Sequence, residues 1–359
     1  MEHKGKRTGG SAGPDRKRFT DVKLSEGGIM DKQKPADFDK RVSMSKRVLD
    51  ERTGKKRGKP ERSFLTIEDL TGSDMREILD GGIAVKKHPE KFRKALEGKS
   101  VALLFQKTST RTRVSFEIGV GELGGQPMYV DWRTSNFTLA NLEDEIKVLS
   151  RYVDLIMARV YKNTDLQIMR KYSEVPIING LCDLYHPCQG LADYMTMQEY
   201  FGKLDGLKIA YLGDGNNVCN SIINGAVKMG MHITVAHPEG YAPLEKSVDA
   251  AKAKGLIELT QSPEDAVQGA DVVYTDTWVS MGDEEKKEER LKAFKDFAVT
   301  KELLEKAPEH ALVMHCLPAH RGYEITEDVI ESRRSIVFDE AENRKHVQKY
   351  LMMKIMEAV

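Results

Sequence analysis

The stretch SVALLFQKTSTRTRVSFE, residues 100–117, sets two apolar patterns around an unbroken polar run, Thr108, Ser109, Thr110, Arg111, Thr112 and Arg113. The first pattern, SVALLF, is a short continuous apolar run and reads as a buried strand. The second, TRVSFEIGVGELGG, reads as a helix. Its Phe116, Val120 and Leu123 recur at i, i+4 and i+7, with Ile118 placed beside that face. Gly119 and Gly121 weaken the helical pattern without breaking it. The polar run is therefore a strand-to-helix turn. In a parallel sheet such a turn lies at the carboxyl end of a strand, where ligands bind. A helix amino terminus offers free N–H groups and the positive end of a dipole to an anion. Ser109, Thr110 and Thr112 add hydroxyl donors, and Arg111 adds a fork suited to phosphate. A capped helix with surface arginines would need one Ser or Thr, not four hydroxyls. The run reads better as an anion cradle.

Outward from this turn, apolar runs alternate with helical patterns. Strands are predicted at 100–105, 127–131, 153–160 and 175–180, followed by a helix over 189–202. A second series follows at 207–213, 232–237, 271–276, 311–317 and 335–339, and a last helix over 341–357. Most of these runs are β-branched and lack period-2 alternation, as strands buried on both faces do. Strand–helix alternation twice over predicts two α/β domains with doubly wound parallel sheets and a cleft between them. The boundary is expected near 200–206. That makes 61–203 the first domain and 204–340 the second, with 341–359 packing back on the first. At the other end of the chain, Thr66 or Thr71 can cap the first helix.

Hydrophobic residues make up 40% of the 359 residues and charged ones 31%, enough for two globular cores. No apolar run reaches the length of a membrane span, and no apolar segment of a secretory signal follows the first residues. Cys182, Cys188, Cys219 and Cys316 lack the spacing of a zinc site or a disulfide framework, so a reducing, cytoplasmic setting is expected. The net charge of zero is uneven. Residues 1–59 carry 18 Lys/Arg against 9 Asp/Glu, leaving the remainder at −9. This basic arm, 1–60, is poor in large apolar residues and is expected to be a disordered, solvated tail. Its nine acids argue against a transit peptide. The lack of interleaved aromatics argues against nucleic acid as a partner. Salt-sensitive nucleic-acid binding lost on deleting the arm would reverse that reading.

Other polar residues stand just past predicted strands. Arg159 ends VDLIMAR, and His186 and Gln189 follow the next strand in YHPCQ. Asp276 ends DVVYTD, where it can accept from an ammonium group, with Ser280 and Met281 close behind. Cys316 ends ALVMHC and precedes Leu317. Each alone has a plain structural reading: a surface salt bridge, a structural histidine, a turn-capping aspartate, a packed cysteine. YLGDGNNVCNS raises a competing function, since Gly213 and Gly215 begin like a dinucleotide fingerprint. The third glycine is missing, however. The next strand, HITVAH, also ends without the acid that would grip a ribose. A nucleotide-binding oxidoreductase is therefore the weaker reading.

STRTR after a strand, HPCQ before a helix, GDGNNVCNS, DTWVSMG and HCLPAHRG occur in this order. Together they resemble the aspartate/ornithine carbamoyltransferase family over residues 62–359, and the last three resemble its ornithine branch. The resemblance implies that Ser109, Thr110, Arg111 and Thr112 hold the phosphate of carbamoyl phosphate. Arg159, His186 and Gln189 would address its carbamoyl group, and Cys316, Leu317 and Arg344 would complete that site. Asn220, Asp276, Ser280 and Met281 would bind ornithine, with Cys316 beside its side-chain amine. Arg159, His186, Cys316 and Asp276 are the implied catalytic set. No metal or organic cofactor is implied, and the assembly would be a homotrimer or a multiple of one. The implied reaction gives citrulline and phosphate, and the same residues serve arginine synthesis or breakdown. One segment departs from the family pattern: DWRTSNFTLANLE, 131–143, which in the family reaches a neighbouring subunit's site. This leaves open other amines, such as putrescine, lysine or an acylated ornithine.

Overall fold

The run that begins at Ser100 is a strand in the interior of its sheet. The computed structural model describes residues 60–279 and 284–359, which fall within one compact unit. The first sheet contains β1 (Ser100–Phe105), β2 (Gln126–Asp131), β3 (Leu155–Arg159) and β4 (Ile177–Leu181), in the order β2-β1-β3-β4. The second contains β5 (Lys208–Leu212), β6 (His232–Ala236), β7 (Ile257–Thr260), β8 (Val272–Thr275) and β9 (Leu312–His315), in the order β7-β6-β5-β8-β9. Every pairing is parallel. Strands β3, β4 and β8 are buried along their whole length, which is why their sequences show no alternation.

The longer helices are α1 (Gly72–Lys87), α2 (Thr110–Glu122), α3 (Leu142–Tyr152), α4 (Asn163–Tyr172), α5 (Pro187–Phe201), α6 (Asn217–Met229), α7 (Glu245–Lys252), α8 (Lys287–Phe294) and α9 (Val337–Ile355). Thr71 caps α1 in a reciprocal capping box with Asp74, and Thr66 does the same with Asp69 for one 3-10 turn. Both candidate threonines therefore act as caps. Pro187 occupies the first turn of α5, where a missing N–H costs nothing. Asn216 caps α6 by accepting from the N–H groups of Val218 and Cys219. The largest core runs through both sheets: Leu103 and Met157 of the first join Ile209 and Tyr274 of the second, with α1, α5, α6 and α9 between them. Helix α9 follows the second sheet in the chain but packs on α1, α2 and α5.

Three local expectations are corrected. SIVFD (335–339) is not a strand. Ser335 makes a single bridge to Val313, and α9 starts at Val337, before the expected 341. Two β-branched residues are too few to propagate pairing, and Asp339 and Glu340 suit the positive first turn of a helix. Strand β7 was not foreseen. IELT is a four-residue edge strand, only partly buried, so it shows no apolar run. Ile118 is 49% exposed, because two residues of helix carry it about 200° around from Phe116. The expected basic arm, 1–59, lies outside the described residues. Among the described residues, no helix is long and apolar enough to cross a membrane.

Candidate active site

In an open parallel sheet, the loops leaving adjacent strands part where the strand order reverses, and a crevice opens there. The first sheet reverses between β1 and β3, and the second between β5 and β8. A cleft of about 550 Å³ joins these points. Ser109, Thr110, Arg111, Thr112, Arg159 and His186 line it from the first half. Asn217, Asp276, Cys316 and Leu317 line it from the second, and Arg344 enters from α9.

The first half forms a cationic cradle. Ser109 caps α2, its Oγ accepting the Thr112 N–H at 3.4 Å. Arg159 Nη1 and Arg344 Nη2 each donate to Thr112 Oγ1, both at 3.4 Å. Arg111 Nη2 reaches across the cleft and donates to the Leu317 carbonyl at 2.7 Å. Among the described residues, nothing partners the buried Arg159 Nε and His186 Nδ1, as with polar atoms kept for a ligand. Crowding of cations shows in the electrostatics. Burial, then Arg344 and Arg111, pushes the Arg159 guanidinium down to about 9. Burial, then Arg344 and Arg159, holds the His186 imidazole well below its ordinary value, so it is neutral. A dianion would relieve this arrangement.

The second half presents a carboxylate and a thiol to the cleft. Asp276 leaves the end of β8 and is fixed on both oxygens. Oδ1 accepts the Thr277 N–H at 2.7 Å and the Cys316 thiol at 2.9 Å, and Oδ2 accepts from Asn216 Nδ2 at 2.7 Å. Burial, and next the Asp276 charge, pushes the Cys316 thiol well up, so it stays protonated and donates. Asp276, His315 and Cys316 place potential ligand atoms within 4.8 Å of one another. Both His315 nitrogens are engaged, however: Nδ1 by the Leu317 N–H and Nε2 by Glu324. This makes the trio a poor cation site.

Two expected residues stand elsewhere. Asn220 does not line the cleft: its Nδ2 donates to the Leu184 carbonyl and its Oδ1 accepts the Leu244 N–H, tying α6 to two loops. Asn217, one turn earlier, lines the cleft instead. Its signal was the Asn-Asn pair, whose first member caps α6 and leaves the second at the helix mouth. Gln189 sits behind the cradle, accepting from Arg344 Nη1 at 2.8 Å and donating to Asp193 and Glu340. Ser280 and Met281 lie outside the described residues. Lys107, Trp278, Lys287 and His320 also line the cleft without having been singled out, although Trp278 and His320 lie within the motifs DTWVSMG and HCLPAHRG. The 131–143 loop does not line it, and its Trp132 and Phe137 rings pack together at 4.9 Å.

The dinucleotide-like glycine has a packing cause. A Cβ on Gly215 would lie 2.2 Å from Pro243 N, and the Gly215 N–H donates to the Tyr241 carbonyl. Its bare backbone accommodates this chain's own loop, not a pyrophosphate.

Residues 62–199 match the profile of the carbamoyl-P binding domain of aspartate/ornithine carbamoyltransferases, and residues 205–355 match that of their Asp/Orn binding domain. An ornithine carbamoyltransferase of Methanocaldococcus jannaschii is 53% identical over 301 residues, spanning 82% of this chain and 99% of its own. One from Thermococcus kodakarensis is 47% identical, spanning 83% of this chain and 97% of its own. Among solved structures, the ornithine carbamoyltransferase of Pyrococcus furiosus superposes with a TM-score of 0.79 at 45% identity, covering 84% of this chain and 98% of that one.

Proposed function

The chain belongs to the aspartate/ornithine carbamoyltransferase family, and we propose that it transfers the carbamoyl group of carbamoyl phosphate to the side-chain amine of L-ornithine, giving L-citrulline and phosphate. One observation carries this reading. A cradle of three arginines at the amino end of α2 faces a fixed carboxylate–thiol pair, Asp276 and Cys316, across a single cleft. The cradle suits a phosphate dianion, and the pair suits an amine. Residues 61–203 with α9 thus bind carbamoyl phosphate, and 204–340 bind ornithine.

The chemistry is acyl transfer by direct attack of the neutral amine on the carbonyl carbon. Charge grows on the carbonyl oxygen, so donors must be in place beforehand. Arg159 and the Thr112 hydroxyl serve as donors, and neutral His186 can donate one N–H. Phosphate then departs into the cradle as a stabilised anion. Juxtaposing two substrates across the cleft supplies much of the acceleration. An ornithine amine is protonated at neutral pH; Asp276 together with the protonated Cys316 orients it, its first proton passes to solvent before attack, and the proton shed after attack passes to the departing phosphate.

The active assembly is a homotrimer or a multiple of one, as in the family. Val114 and Ile118 on α2 and Met128 on β2, all substantially exposed, support an apolar contact there. The four free cysteines suit a cytoplasmic enzyme.

Phosphate release is measured with ornithine, lysine, putrescine, N-acetylornithine and aspartate. Strong preference for ornithine with citrulline as product establishes the reaction. Preference for another amine keeps the chemistry and makes the 131–143 loop the specificity element. No release with any of them overturns the reading.

A further inference from the structure

The Leu317 carbonyl accepts from Arg111 and lies at the cleft wall, where a carbonyl's second lone pair can accept an N–H of a carbamoyl group. Its placement is not free. Leu317 has φ of 55°, in the left-handed region that a branched, non-glycine residue avoids. Such a backbone persists only where its surroundings hold it. The hold is visible: the Leu317 N–H donates to His315 Nδ1 at 2.8 Å. An imidazole nitrogen that accepts carries no proton, so the proton of neutral His315 sits on Nε2. That N–H faces Glu324 Oε1 at 3.2 Å. Glu324 also accepts the backbone N–H of His320, whose ring meets the Thr277 hydroxyl at 3.0 Å, next to Asp276. His315 and Glu324 are fully buried, and among the described residues Glu324 Oε2 has no partner. A buried carboxylate left half-satisfied destabilises the fold, so fold stability alone does not account for it.

We propose that Glu324 and His315 are positioning residues for the carbamoyl substrate: Glu324 fixes the His315 tautomer, and His315 locks the Leu317 backbone so that its carbonyl faces the cleft. His315 stands behind the cleft wall, and Glu324 is part of that wall beside His320 and Tyr323; both act through the Leu317 backbone. The inference rests on the carbamoyl-transfer reading and deepens it. A merely structural His–Glu pair would change stability and all ligands alike. A positioning pair separates carbamoyl phosphate from inorganic phosphate: Arg111 stands on the first turn of α2 and reaches phosphate whether or not it also donates to the Leu317 carbonyl, whereas only a carbamoyl N–H uses that carbonyl's second lone pair.

The test is steady-state kinetics of the full chain with ornithine, using inorganic phosphate as a product inhibitor. Glu324→Ala should raise KM for carbamoyl phosphate about tenfold, the worth of one good hydrogen bond, while Ki for phosphate stays within about threefold. Glu324→Gln, which keeps an oxygen acceptor, should recover most of the loss. If Glu324→Ala does not fold, the His315 pair decides. His315→Asn retains an oxygen for the Leu317 N–H and should hold KM near wild type. His315→Leu, lacking an acceptor, should not. KM and Ki rising together, or His315→Leu matching His315→Asn, overturns the inference while transfer by the wild type stands. A wild-type chain that releases no phosphate with any amine overturns both.

Discussion

The Cys316 thiol donates to Asp276 Oδ1 at 2.9 Å, so the two residues act as one unit on the second sheet's side of the cleft. Burial, and then the Asp276 carboxylate, keeps the thiol protonated. Alkylating agents attack the thiolate only. Carboxymethylation of Cys316 should therefore be slow at pH 8 and still accelerate with pH beyond the ordinary thiol range. Asp276→Asn removes the charge that pushes the thiol up and should speed labelling at pH 8 by about tenfold, the equivalent of one unit of pKa. Mass spectrometry of the peptide containing Cys316 follows it. A rate that levels off within the ordinary thiol range in the wild type would contradict the pairing.

His186 gives a pH signature in stability. Its folded-state pKa is depressed, so between that value and the unfolded one, about 6.5, the unfolded chain binds more protons. Stability from this group is thus present above about pH 6.5 and lost as pH falls below it, at up to about 1.4 kcal/mol per pH unit. His346 is depressed as well and acts in the same direction, so the comparison is made by difference. His186→Gln should flatten the decline in urea unfolding free energy between pH 6.5 and 5. An identical slope in wild type and variant would show that His186 is charged in the folded protein.

How far the sequence could be read depended on whether a residue's surroundings were local. Strands β1 and β3 were legible because burial on both faces writes an unbroken apolar run. Strand β7 was not, because an exposed edge writes none. Arg111, Arg159, Asp276 and Cys316 were legible as polar residues just past buried runs, and all four line the cleft. Asn217 and Asn220 were harder to separate. They lie one turn apart, and what distinguishes them is the Leu184 and Leu244 backbone that takes up Asn220. The Glu324–His315 and Gln189–Glu340 contacts left no trace, since neither helical nor strand spacing pairs those residues.

Arg159 is the residue at which binding and stability oppose one another. It is buried among Arg344 and Arg111, and only an anion offsets that cost. Burying a charge costs several kcal/mol of desolvation, and an apolar side chain of similar length removes that cost. Arg159→Met should therefore raise the melting temperature of the unliganded enzyme, abolish the further rise on adding phosphate, and lower kcat/KM for carbamoyl phosphate by at least about 100-fold. Scanning calorimetry with and without 10 mM phosphate reads both effects (the phosphate concentration being a roughly saturating choice). A lower melting temperature without ligand would mean that Arg159 is a structural ion-pair member instead.

The packing of α5 on α6 makes the last prediction, in which two known effects have opposite signs. Glycine inside a helix is worse than alanine by about 1 kcal/mol, so Gly225→Ala should stabilise α6 in isolation. In the folded chain, a Cβ on Gly225 would lie 2.0 Å from Cε2 of Tyr194, and that ring has little room to retreat. Tyr194 is fully buried, and its hydroxyl donates to the Ile222 carbonyl at 2.5 Å. Overpacking of this kind costs about 1–3 kcal/mol or more and outweighs the helix preference. Gly225→Ala should therefore lower the urea midpoint without changing the urea dependence of the unfolding free energy. It should also weaken the junction between the two sheets, which the α5–α6 contact spans. A variant as stable as wild type would show that the two helices can separate at this contact without loss, and the cleft geometry would then need another support.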